Sequence, residues 1–464
     1  MGYLREREEQ GQKWPKMESY PTFADDQAGR AYQIVERTSS LAPAAYTKVF
    51  GPPGGYKTQV EYEAIPELVE LIEFVREHDA LVDFLVPPRL RDVLAEHALA
   101  MGVVDLPLEM VERHLHVRGW ETDPDFLLAT FEELASWWLN DELPVELVVP
   151  VMGVDFDLER VQFSDGCRID RLSSDEHLAR WPENVREEKR LLAMATHAFT
   201  VPGWILANDE AMRWFWPVEP PSEVEQVERF FEALATVSDA PSGYMQIVCR
   251  PVGWSPGYRG PLPRLLTGPL VLDRSSTRLD PGHEPLDAIA GDRLTELLLA
   301  YDALHEGGSV ALAAERLLSA ERRNSEADRV VDLCIGLEAL LSDPNGETTY
   351  KIKMRTAAML SLAGVHEPAR YISAMSRVYA HRSAIVHGRK PERTRTVVLG
   401  EEEVPTEQVA RAVLRSVLQI RIANPALTPE RIDVDLIGAA LNAAAKRVGV
   451  MGATGSASLA SVDT

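Results

Sequence analysis

Arg382 and His387 offer the clearest chemistry in this chain, within the stretch Tyr379-Ala-His-Arg-Ser-Ala-Ile-Val-His-Gly388. Cleaving RNA by internal attack needs a base for the 2′-hydroxyl, an acid for the leaving 5′-oxygen and positive charge beside the phosphorane. Histidine moves protons near neutral pH, since its ordinary pKa is about 6.5. Arginine stays protonated and grips two phosphate oxygens at once. With Ser383 following the arginine, a guanidinium, a hydroxyl and an imidazole stand around one helix end. That set is sufficient to cleave a phosphodiester without metal, and no cofactor is expected. The plainer alternative is a helix capped by a harmless histidine, with Arg382 in an interfacial ion pair.

The pattern around these residues predicts the element that carries them. Large apolar residues recur at Tyr371, Met375, Val378 and then Ile385, in steps that mark one face of a helix. Position 382 continues that rhythm, and an arginine on an apolar face is costly unless paired or at an interface. His387 follows Ser383 by four residues, so hydroxyl and imidazole stack on an adjacent face. Gly388 supplies the stop. Arg382 and His387 stand about 140° apart around the axis. They need not point together if a second copy of the helix faces them.

The R-x4-H arrangement resembles the signature of HEPN domains, all-helical modules associated with nucleic acids, many of them ribonucleases. Upstream, Asp328-Arg-Val-Val-Asp-Leu-Cys-Ile-Gly-Leu-Glu-Ala-Leu-Leu341 is similar to the first core helix of the Apea-like HEPN family, where a glutamate interrupts an apolar run. Tyr350-Lys-Ile-Lys-Met-Arg-Thr-Ala-Ala-Met-Leu360 is similar to its middle helix. The three segments occur in the family's order over roughly the last third of the chain. At the position after the arginine this chain has Ser383, where many HEPN nucleases carry Asn, Asp or His. The resemblance implies that Arg382 stabilises the phosphate, His387 transfers the proton and Ser383 orients His387 or the phosphate. It further implies a metal-independent endoribonuclease leaving a 2′,3′-cyclic phosphate, with two Arg/His pairs sharing one cleft in a homodimer or higher homo-oligomer. Its setting would be bacterial anti-phage defence or abortive infection, with RNA as substrate and a phage-derived trigger as a further partner. A non-catalytic HEPN module that binds RNA or a partner, or holds an oligomer together, is the alternative.

Charge sets the background. The 464 residues carry a formal net charge of -24, which opposes broad binding to duplex nucleic acid. Against it stands a basic island: Arg377, His381, Arg382, His387, Arg389, Lys390, Arg393 and Arg395, with Glu392 as its only acid. Arg377, His381, Arg389 and Lys390 are therefore candidate RNA contacts beside the R-x4-H pair. The plain reading is a solvated helix end followed by a basic loop.

An apolar content of 45% with 26% charged residues is that of a globular protein, and the length calls for two or three domains. No run of apolar residues is long enough to span a membrane, and the charged N-terminus is no secretory signal, so a cytoplasmic protein is expected. The three cysteines, Cys167, Cys249 and Cys334, lie too far apart for a disulfide framework or a zinc cluster.

The expected fold class is α+β: a mixed N-terminal region with short strands, then an all-α helical bundle. Residues 1–20 read as a polar leader, 21–145 as mainly helical, 146–287 as α+β, 288–450 as the helical domain and 451–464 as a flexible tail. Helices are expected at Val224–Thr236, Asp292–His305, Val310–Ala320, Ser325–Leu341, Lys351–Leu362, Pro368–Val386, Glu407–Asn424 and Leu436–Val448. Strand signals fall at Glu146–Met152, Val154–Phe163, Ala198–Val201 and Met245–Val252, with a Gly/Pro-rich loop at Gly253–Gly268.

Two charges interrupt apolar stripes in the C-terminal region. Glu338 breaks Leu333–Leu341, and Arg355 lies in the stripe Ile352, Arg355, Met359, Leu362. A structural Glu338–Arg355 ion pair across two helices is expected, or else Arg355 aimed into the active cleft.

Other chemical motifs are weaker. Gly51-Pro-Pro-Gly-Gly-Tyr-Lys-Thr58 approaches a phosphate-binding loop, but Tyr56 replaces the glycine that lets backbone amides wrap phosphates. His114 and His116 lack a third metal ligand at a recognised spacing and read as a surface pair, and Trp204, Trp214, Phe215 and Trp216 fit core packing or a domain interface better than base stacking.

Overall fold

The computed structural model describes residues 2–10, 20–25, 32–37, 62–86, 99, 103–104, 107, 110–111, 114, 121–172, 176, 195–208, 224–244, 247–254, 264–265, 287–343, 348–365, 367–389 and 394–452. It is a mixed α and β protein. Two compact units are present: Met1–Val227, Gly243–Val271 and Thr277–Ala288 form the first; Glu228–Ser242, Leu272–Ser276 and Ile289–Thr464 form the second. Among the described residues, no helix is long and apolar enough to cross a membrane.

In the first unit, the stretch expected as a polar leader holds a helix, α1 (Gly2–Glu9). The hairpin β1 (Tyr20–Asp25) and β2 (Tyr32–Arg37) opens the region expected to be mainly helical. Helices α2 (Pro66–Arg76) and α3 (Asp79–Leu85) follow. Leu68, Ile72 and Val75 of α2, spaced three and four apart, pack with Val86, Leu99, Val103 and Val104. Helix α4 (Pro124–Leu139) starts where its sequence says it should. Asp123 caps it by accepting a hydrogen bond from Phe126 N at 3.0 Å, and Pro124 occupies the first turn, where its missing N–H is no loss.

The centre of this unit is a six-stranded sheet in the order β5-β6-β7-β3-β8-β9, antiparallel throughout. Its strands are β3 (Glu142–Pro150), β5 (Arg160–Gln162), β6 (Arg168–Arg171), β7 (His197–Ala207), β8 (Ile247–Pro251) and β9 (Arg264–Leu265); β4 (Val154–Phe156) lies outside it. Leu147, Val149, Ile169, Phe199, Val201 and Cys249 share one buried apolar face. The opposite face carries an ionic ladder. Arg168 on β6 reaches Glu146 on β3 at 2.8 and 2.5 Å and Asp170 at 2.6 Å, while Arg250 on β8 stands 3.3 Å from Glu146. Every charge in this ladder has an opposite partner, which is the condition for holding it in a poorly hydrated place.

The second unit is mostly helical. It takes in most of α5 (Glu225–Val237), which the sequence had grouped with the middle region. It continues through α6 (Asp292–His305), α7 (Gly308–Arg322), α8 (Glu326–Leu341), α9 (Thr348–Leu362) and α10 (Arg370–Val386). Strands β10 (Thr396–Leu399) and β11 (Glu402–Pro405) then form a hairpin, so this unit is not all-α. Val397, Val398 and Val404 favour extended backbone, and Gly400 at φ 71° takes the first turn position of a two-residue connection. Helix α11 (Thr406–Ala423) follows. The last predicted helix begins instead as a π-helical segment, Ile432–Gly438, and continues as α12 (Ala439–Gly452).

Helix α8 is the unit's spine. Ser325 caps it, and Glu326 and Asp328 place negative charge in its first turn, where the helix dipole favours it. Val330, Leu333, Cys334, Leu337, Leu340 and Leu341 give it a broad buried face. Gly336 marks where α8 meets two other helices. A β-carbon built there would stand 2.8 Å from Leu414 Cδ2 of α11 and 3.3 Å from Ala313 O of α7.

Candidate functional site

Helix α10 carries the residues singled out above. Ala374, Met375, Val378 and Tyr379 form its buried face. Its end is a Schellman turn: His387 is the C-cap, Gly388 follows at φ 64°, Gly388 N donates to Ile385 O at 3.0 Å, and Arg389 N donates to Ala384 O at 2.8 Å. The sequence therefore fixes where the helix stops, and with it the place of His387. Because only glycine enters that backbone conformation without strain, Gly388 holds the imidazole just past the last turn.

Arg382 lies in the final turn of α10 and is half-buried, its side chain 34% exposed. Its partner is Glu338 on α8, with Nη2 3.8 Å from Oε2, and Glu338 is itself 28% exposed. That separation is an ion pair but longer than a hydrogen bond. Arg382 Nε is buried with no hydrogen-bond partner among the described residues. Ser383 and His387 are exposed, and so are Arg377 and Arg389. The guanidinium and imidazole thus both reach solvent at one helix end, with the guanidinium donors only partly used.

The basic island is smaller in space than in sequence. His381 is buried, 2% exposed, with Nδ1 3.0 Å from Thr394 Oγ1 just ahead of the β10–β11 hairpin, and is not placed to touch RNA. It follows Val378 by three positions, which keeps it on the buried side of α10. Arg395 is bound to Glu326, whose carboxyl it holds below the usual glutamate range through that hydrogen bond and its charge. Arg377 Nε donates to Thr396 O at 3.4 Å. Lys390 and Arg393 lie outside the described residues.

The expected Glu338–Arg355 ion pair is not formed. Arg355, 1% exposed, is bound elsewhere and does not face a cleft. Its Nε donates to Asp433 Oδ1 at 2.9 Å, and its Nη2 to Asp433 Oδ2 at 2.6 Å and Asp343 Oδ2 at 2.7 Å. Its Nη1 donates to Leu341 O at 2.6 Å, one of the last carbonyls of α8. The guanidinium runs to the C-terminal end of α8, past Glu338, where a free carbonyl and two carboxylates meet it. Lys351 shares Asp343, and the two cations hold that carboxyl down at about 2, Lys351 first and Arg355 second.

A tyrosine and a cysteine that sequence reasoning passed over complete the surroundings of Arg382. Cys334 lies one turn before Glu338 on α8, and Tyr379 one turn before Arg382 on α10. Burial pushes the Cys334 thiol up to about 12, with Glu338 adding to it, so it is no nucleophile at neutral pH. Burial likewise raises the Tyr379 hydroxyl, with Cys334 and Glu338 adding to the shift and Arg382 opposing it. That hydroxyl is buried and has no hydrogen-bond partner among the described residues. Its signal in the sequence was its place three residues before an arginine.

Elsewhere, His114 is buried and its Nε2 accepts from Asp123 N at 3.0 Å, so it holds the start of α4 and that nitrogen is not free for a metal. The Gly51–Thr58 stretch, His116, Trp214, Phe215 and Trp216 lie outside the described residues. In the first unit Asp155, Thr196 and His197 form a buried polar knot. Burial alone would raise the Asp155 carboxyl, but hydrogen bonds from His197, Thr196 and Phe156 N carry it below its usual value. His197 Nδ1 is 3.1 Å from Asp155 and Nε2 is 2.8 Å from Leu158 O, which commits both ring nitrogens to internal contacts.

Compared with protein-family models, with curated proteins and with solved structures, the chain finds no match.

Proposed function

We propose that this protein is an endoribonuclease of the HEPN type, cleaving RNA by 2′-hydroxyl attack through Arg382 and His387. The observation that carries the reading is the state of α10's end: a half-exposed guanidinium bound to one carboxylate at 3.8 Å, and an exposed imidazole one turn on. The order of the three HEPN-like segments supports it. In this reading Arg382 leaves Glu338 for a phosphate oxygen and stabilises the developing charge. His387 transfers the proton, and Ser383, exposed between them, orients either group. These groups supply charge and proton transfer themselves, so the chemistry needs no metal. Two copies of α10 facing each other across a two-fold axis would bring both Arg/His pairs to one RNA strand. Arg377 and Arg389, both exposed, would contact flanking phosphates, with Lys390 alongside. A cytoplasmic role in bacterial defence, released by a phage-derived trigger, accords with such an activity.

A second reading keeps the module but not the catalysis. Val386, 55% exposed in the last turn of α10, gives this helix end an apolar contact that suits a partner or a second copy. RNA cleavage in EDTA separates the two. Wild type is expected to cut single-stranded RNA to 2′,3′-cyclic phosphate ends, and Arg382→Ala or His387→Ala to lose about 100-fold or more. Wild-type activity in both variants would refute the assignment.

A further inference from the structure

The surroundings of Arg382 differ from those of Arg355 in how fully their polar groups are paired. Arg355 uses its guanidinium on four hydrogen bonds at 2.6–2.9 Å. Around Arg382, by contrast, three polar groups are short of partners: Arg382 Nε and the Tyr379 hydroxyl have none among the described residues, and the Arg382–Glu338 contact is 3.8 Å. A buried donor without an acceptor carries a penalty of about 1–3 kcal/mol, so such a group persists where another state of the molecule uses it. Tyr379 and Arg382 lie three residues apart on one face of α10, and both interact electrostatically with Glu338 of α8. Glu338 is the one group of the trio that only accepts when ionised.

Resting on the reading of Arg382 as the phosphate ligand, we infer that Tyr379 is a positioning residue of this site: when Arg382 turns onto a phosphate, the Tyr379 hydroxyl takes its place on the Glu338 carboxylate. Without such a substitute, Arg382 would leave behind a half-buried carboxylate with no counter-group, beside the incoming anion. The hydrogen bond from Tyr379 spreads that charge and keeps Glu338 turned away from the phosphate. Tyr379 then acts on RNA only through Glu338. This assigns a use to a hydroxyl that is idle in the unliganded protein.

The test is a double-mutant cycle on binding, which needs no cleavage. An uncleavable 2′-O-methyl RNA oligonucleotide is titrated at fixed salt against wild type, Tyr379→Phe, Glu338→Ala and the double variant, with Arg382→Ala as control. Tyr379→Phe should weaken binding about tenfold in the wild-type background, the scale of one hydrogen bond to a charged group, and leave it unchanged when Glu338 is alanine. Its melting temperature should not fall, because the hydroxyl makes no bond in the free protein. An equal effect in both backgrounds, no effect in either, or a clear drop in melting temperature would each overturn the inference while leaving the nuclease reading intact. If wild type does not bind, or Arg382→Ala binds as well as wild type, the reading of the site fails and this inference with it.

Discussion

Replacing Arg355 by methionine is the sharpest test of how the second unit is held together. Methionine keeps most of the apolar body and removes the guanidinium, so the change isolates the polar contacts. Three acceptors lose a donor. Asp343 keeps Lys351, at 2.8 and 3.0 Å, and Asp433 is 44% exposed, so water can replace part of what it loses. Leu341 O has no such recourse, and a stranded buried carbonyl costs about 1–3 kcal/mol. Removing one partner of a buried ion pair costs about 3–5 kcal/mol, and the exposure of Asp433 places this case at the lower end, about 3 kcal/mol. For a unit of this size that is a fall in melting temperature of about 6–12 °C. Thermal unfolding by circular dichroism, following the transition of the second unit, measures it. Acid adds a second arm. The Asp343 carboxyl is held at about 2 in the folded chain, below the ordinary value of about 3.9. Its contribution is therefore complete above pH ~4 and is lost as pH falls toward about 2. That acid-dependent loss should shrink in Arg355→Met. A variant that melts within about 1 °C of wild type at neutral pH would refute the pairing.

Two further outcomes follow from the same packing. Glu338→Ala should lower stability by no more than about 1 kcal/mol, because its pair with Arg382 is partly exposed and long; a loss above about 2 kcal/mol in urea unfolding would mean that Glu338 has a stronger buried partner. Gly336→Ala should destabilise by about 1–2 kcal/mol, as the clash with Leu414 and Ala313 O outweighs the better helix propensity of alanine. A more stable variant in the same urea experiment would show that α8 and α11 are not so closely approached.

The helices of the second unit were legible because their signals are local. The spacing of Leu297, Ala300, Tyr301 and Leu304, the cap at Ser325 and the stop at Gly388 each sit within a turn or two of what they control. Partners were not legible. Arg355 reads as a buried cation from its stripe, but Asp433 is 78 residues away and nothing in the pattern chooses it over Glu338. Strand β6 was not legible because Arg168-Ile-Asp-Arg171 alternates a charged face with a very short apolar one, and its charges are explained by Arg160, Glu146 and Arg250 on other strands. The hairpin at Thr396–Pro405 directly follows a basic run, and its valines and Gly400 spell a turn between strands. At the site itself, the exposure of His387 followed from the helix stop, whereas the hydroxyl that His381 meets belongs to Thr394, 13 residues further on.

The wide turn at Ile432–Gly438 ties two properties of the chain to one surplus residue. A π turn holds an extra residue relative to an α turn, so everything beyond it is rotated by about 100° from where an uninterrupted α-helix would put it. Asp433, the partner of Arg355, stands in the first turn of this segment. Shortening this segment by a single residue would let the backbone relax to ordinary geometry, but it would also swing the carboxylate off its guanidinium and re-phase the face that Ala439–Gly452 presents. The segment's length is thus as constrained as its chemistry.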